Sequence, residues 1–72
     1  MMPLVFANPG EDLIVNKVGG SKEVKKHLEN LGFVAGETIQ VLNTIEGNLI
    51  VVVKNVRLAL SKEMAQKIMV SN

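Results

Sequence analysis

The stretch Gly19-Gly20-Ser21-Lys22-Glu23-Val24-Lys25-Lys26-His27-Leu28-Glu29-Asn30-Leu31-Gly32-Phe33-Val34-Ala35-Gly36 decides how this chain reads. Val24, Leu28 and Leu31 recur at i, i+4 and i+7, the spacing that gathers apolar side chains on one helix face and assigns all three to a core. Lys22, Lys25, Lys26 and Glu29 then face water. Ser21 stands where a side-chain oxygen can cap the helix, and Glu23 suits the positive end of its dipole. Lys25 with Glu29, and Glu23 with His27, have the i, i+4 spacing of helical ion pairs. Gly32 can take the left-handed conformation that ends a helix, with Phe33 as the apolar latch behind it. So short a helix does not hold by itself in water, so it must pack on the strands around it.

Upstream, Leu4-Val5-Phe6 is a short strand or helical turn lidding the core, ended by the turn signal Asn8-Pro9-Gly10. Leu13 to Val18 is rich in β-branched residues and stops at Gly19-Gly20, which makes it a strand. Its alternation is imperfect and leaves open which of Leu13 and Ile14 faces inward. Downstream, Glu37 to Asn43 alternates cleanly, with Ile39 and Val41 on one side and Thr38, Gln40 and Leu42 on the other. Ile45-Glu46-Gly47-Asn48 reads as a hairpin turn with Gly47 and Asn48 at positive φ. The return strand Leu49 to Val53 is apolar on both faces, and a second turn at Lys54-Asn55 leads into Val56 to Leu60. Ser61 caps a helical turn from Lys62 to Lys67, with Glu63 and Lys67 at i, i+4. Ile68-Met69-Val70 reads as an edge strand that closes the sheet. The sum is a mainly β chain with short helices: five or six strands, a helix inserted after the first main strand, and closure into a small, partly closed barrel that leaves few edges to cover.

With 72 residues the chain is expected to be a single domain with a small core. It has no cysteine, so disulfides, thiolate metal sites and thiol chemistry are excluded. A net charge of +1 with two Phe, no Tyr and no Trp argues against binding dominated by phosphate neutralisation or base stacking, so nucleic acid is not an expected partner. Neither the N-terminal apolar run nor Leu49 to Val53 is long enough to be a signal peptide or to span a bilayer.

Several features together resemble a known family. They are Gly10, Val18-Gly19-Gly20, Lys25 and Lys26 before Leu28, Leu31-Gly32-Phe33-Val34-Ala35-Gly36, Gly47, Arg57-Leu58-Ala59-Leu60 with Ala65 following, and Ile68-Met69-Val70. Over nearly its whole length the chain is similar to ferrous iron transport protein A, the FeoA family. It departs where that family commonly has arginine at Lys25, Lys26 or His27, and often proline at Ala35 and near Leu49; lysine loses the planar, bidentate recognition of arginine. The resemblance implies an SH3-like β-barrel of the cytoplasm with no catalytic residues and no cofactor. It also implies a role assisting ferrous iron uptake by a membrane transporter, through that transporter's cytosolic nucleotide-binding domain, so that the membrane is met only indirectly. The same barrel occurs in metal-dependent repressors, so the alternative is a small nucleic-acid-binding barrel or a regulatory domain of that kind.

Candidate sites follow from the residues. His27 is the only histidine and the carboxylates are scattered, so no set of metal ligands is expected; His27 reads as a surface residue, and iron would have to be shared with a partner. Ser21 and Ser61 read as caps, and Gly19-Gly20-Ser21-Lys22 lacks the spacing of a phosphate loop. Two surfaces remain for partner binding. One is the lysine face of the helix, Lys22, Lys25 and Lys26. The other is the outer side of the apolar strand: Ile50 and Val52, or else Leu49, Val51 and Val53, with Leu42 and Arg57 on neighbouring strands. Such a patch serves either self-association or the transporter unless the helix or the N-terminal segment covers it.

Overall fold

The computed structural model describes residues 1–72. The strands are β1 (Met2–Pro3), β2 (Asp12–Val18), β3 (Thr38–Ile45), β4 (Asn48–Val53), β5 (Val56–Leu60) and β6 (Ile68–Ser71). The helices are α1 (Lys22–Asn30) and α2 (Lys62–Ala65), and a 3₁₀ turn spans Leu4–Phe6. All strands join one antiparallel sheet in the order β1-β6-β2-β3-β4-β5. The sheet curls around its contents, and the near-equal extents of 28 × 24 × 22 Å fit a wrapped sheet better than a flat one. Its inner face, with α1, α2 and the 3₁₀ turn, encloses a core of 15 apolar residues, and no polar or charged residue is buried.

The stretch from Gly19 to Gly36 folds as its local chemistry dictates. Ser21 Oγ accepts the Val24 N–H at 3.2 Å, and Ser61 Oγ accepts the Met64 N–H at the same distance, so both helices are side-chain capped. At the far end of α1 the Gly32 N–H donates to the Glu29 carbonyl and the Phe33 N–H to the Leu28 carbonyl, both at 3.0 Å. That pair of bonds, with Gly32 at φ 113°, is the Schellman ending, and it swings Phe33 beneath the helix into the core beside Leu28.

Here the structure corrects the periodicity. Leu31 is 37% exposed and outside the core, and Phe33 takes its place with no exposed surface. Leu31 is the C-cap, at the margin of the helix, and the Schellman bonds bring Phe33 back under that last turn to fill the core there. Val24 is half-buried against the core and Leu28 fully buried.

Two bulges account for the irregular strands. The register of β2 on β6 shifts between Val15 and Lys17, so Leu13 and Val15 point inward, Asn16 and Lys17 are both exposed, and Val18 returns to the core. Ile14 is therefore the outward residue of the pair that periodicity left open. A second shift between Val41 and Asn43 makes Leu42 the extra residue of β3.

Four further expectations change. The first hairpin places Glu46 and Gly47, not Gly47 and Asn48, at positive φ, because a two-residue loop closes directly between Ile45 and Asn48. β6 is interior, between β1 and β2, because Met2–Pro3 adds a strand outside it. α2 stops at Ala65, since the chain must turn through Gln66 and Lys67 to enter β6. The i, i+4 ion pairs do not form; the one salt bridge is Lys54 Nζ to Glu37 Oε1 at 4.0 Å. Exposed pairs of this kind gain too little to hold two long side chains in place.

Candidate functional site

β4 separates the two faces of the sheet. Leu49, Val51 and Val53 point inward and are buried, whereas Ile50 and Val52 point outward and are half-buried. Hydrogen-bonded register supplies their neighbours: Val52 lies between Gln40 and Arg57, and Ile50 between Asn43 and Ala59. The bulge sets Leu42 beside this row. Leu42, Ile50 and Val52 are absent from the side chains that pack on the core, so they form an apolar patch on the outer face with Arg57 at its rim. The structure thus brings together four of the residues singled out from sequence.

It keeps the other three apart. Lys22, Lys25 and Lys26 are exposed along one side of α1, but α1 meets the sheet mainly at β2 and contributes Leu28 to the core on the inner side. They form a second surface, not an extension of the first.

A groove of about 340 Å³ opens beside Val52, lined chiefly by Asp12, Glu37, Thr38, Gln40, Lys54 and Asn55. Gln40 Nε2 donates to the Gly10 carbonyl at 3.1 Å and to Asp12 Oδ1 at 3.4 Å, tying the turn after Pro9 to β3. Both signs of charge line the groove, and the Lys54–Glu37 pair spans part of it, so it is not a trap for one kind of ion. Sequence reasoning missed it, because Asp12 meets Gln40 only through the β2–β3 register.

No three His, Cys, Asp or Glu side chains come together in a set that could hold a metal ion. His27 is exposed on α1. Ser21 and Ser61 are engaged as caps, and the Gly19 N–H donates to the Lys67 carbonyl at 2.7 Å, so that amide is not free to cradle a phosphate. No helix is long and apolar enough to cross a membrane.

Comparison with known proteins agrees with this picture. The FeoA domain model matches residues 2–72. A Methanocaldococcus jannaschii protein bearing the name Fe(2+) transport protein A is 32% identical over 72 residues, covering all of this chain and 88% of that one. A crystal structure of an iron uptake regulatory protein (FeoA) superposes with a TM-score of 0.89 at 36% identity, covering 97% of this chain and 93% of the other. The FeoA of Stenotrophomonas maltophilia, solved with zinc, aligns at a TM-score of 0.86 and 25% identity over 99% of this chain and 91% of its own. It is described as a prokaryotic SH3 domain protein, with a suggested role as a ferrous iron transport activating factor. The SH3-like fold, the match along the whole chain and the named relatives agree, and the chain belongs to the FeoA family of ferrous iron transport accessory proteins.

Proposed function

We propose that this protein, as a single domain over residues 1–72, is a non-enzymatic cytosolic module that supports ferrous iron uptake. It does so by binding the cytosolic nucleotide-binding domain of a membrane ferrous iron transporter. The observation that carries the reading is the Leu42, Ile50 and Val52 patch, apolar side chains left on the outer face while their strand neighbours fill the core. An apolar centre with a charged rim, here Arg57, is the usual anatomy of a protein interface. Lys22, Lys25 and Lys26 offer a separate basic surface, suited to orienting an acidic partner. Any iron handled at such an interface would need ligands from the partner.

The test is calorimetric titration of the purified transporter domain with this protein and with Val52→Asp. A loss of affinity of about tenfold or more, with an unchanged circular dichroism spectrum, is expected from burying an unpaired carboxylate in the interface. Equal binding by the variant removes the outer face from the proposal. Unchanged ferrous iron uptake in a deletion strain under iron limitation removes the role itself. A nucleic-acid role would announce itself as binding to RNA or DNA that weakens steeply with salt, which a net charge of +1 does not favour.

A further inference from the structure

The two edges of the sheet are not alike. β1 is two residues long and includes Pro3, which has no N–H to offer, so that edge cannot template another strand. β5 is five residues, Val56-Arg57-Leu58-Ala59-Leu60, with no proline and no bulge against β4. The turn before it has Lys54 and Asn55 both at positive φ, a two-residue hairpin loop that makes Val53 and Val56 a hydrogen-bonded pair. Hydrogen-bonded pairs alternate along an antiparallel ladder, so Val56, Leu58 and Leu60 direct their main-chain groups to β4. The N–H and C=O groups of Arg57 and Ala59 therefore point away from the sheet. Neither amide donates to any turn, cap or side chain.

We propose that two copies of this chain associate through β5, pairing antiparallel about a two-fold axis at Leu58 so that Arg57 of each hydrogen-bonds Ala59 of the other. In this register the four free main-chain groups of each edge are all used, forming two hydrogen-bonded pairs on either side of Leu58. The side chains agree with it. On the inner side the half-buried Leu58 meets its own copy, and Val56, 57% exposed in the single chain, comes over the end of the strand at Leu60, whose side chain its own core already holds. On the outer side each Arg57 faces Ala59, the smallest side chain of the strand, instead of another arginine.

The neighbouring registers fail on the same criteria. An axis at Arg57 sets two guanidinium groups opposite each other and calls on Asn55, whose φ of 64° is not extended. An axis at Ala59 needs the Ser61 carbonyl, which already accepts the Ala65 N–H at 2.9 Å. A contact this narrow makes a weak, reversible dimer. It would carry the outer patches of two copies side by side on one continuous sheet.

Sedimentation velocity from about 10 μM to about 1 mM, spanning the range of weak association, tests the proposal. The sedimentation coefficient should rise with concentration for the native chain and stay at the monomer value for Ala59→Pro, which deletes an outward N–H at an edge that tolerates proline. Val56→Lys, at an exposed position, should also keep the chain monomeric without relying on a backbone change. Amide exchange read residue by residue adds the register: Arg57 and Ala59 should become protected as concentration rises. A chain monomeric throughout that range, a dimer that survives both variants, or a dimer whose Arg57 and Ala59 amides still exchange freely overturns the proposal.

Discussion

The two faces of β4 carry nearly the same side chains and meet opposite fates. Leu49, Val51 and Val53 are 3%, 0% and 1% exposed, while Ile50 and Val52, one residue along, stay partly in water. Residue type does not separate them; pleating does, by sending successive side chains to opposite sides of a curled sheet. Inward positions hold the fold and outward positions are available for partners, so the comparison can be broken one substitution at a time.

The largest effect is expected for Val51→Asp. An unpaired carboxylate in a fully buried site costs about 4 kcal/mol or more, comparable with the whole stability of a domain this small, and urea unfolding monitored by circular dichroism should find the variant largely unfolded. Gly32→Ala comes next. Its φ of 113° strains an L-residue, and an added Cβ would lie 3.0 Å from Val53 Cγ2 on the inner face of β4, so a loss of about 1–3 kcal/mol is expected in the same measurement. Ser21→Ala, which removes the cap of α1 without touching the core, should cost about 1 kcal/mol. Val52→Asp, at a half-buried outward position, should cost no more than about 1 kcal/mol, from lost strand propensity, while weakening partner binding, the reverse of Val51→Asp. Equal destabilisation by the two aspartates would erase the distinction between the faces.

What was legible before the structure was local. Ser21, Gly32 and Ser61 act within a few residues of themselves, and their roles follow from spacing because the atoms they satisfy are in the next turn. The apolar run from Leu49 to Val53 showed that one side of a strand would be left outward, though not which side. Leu31 left the core because the helical period was carried onto the residue that caps the helix, whereas Phe33, read as the latch behind Gly32, is buried in that role. The groove beside Gln40 could not be seen at all, since its walls come from β2, β3 and the turn after β4, and only register brings them together.

The sequence by itself determined the helix with its caps, five of the six strands, the positions of the two hairpins and the family resemblance, all properties of neighbouring residues or of motif order. Tertiary structure decided that β6 is interior, that bulges set Ile14 and Leu42 where they are, that Ile50 and Val52 rather than Leu49, Val51 and Val53 face outward, and that β5 is the open edge. Those outcomes depend on which distant strands pair and in what register. A slip of one residue would turn every side chain of a strand to the other face, and only burial of the whole core selects among the registers.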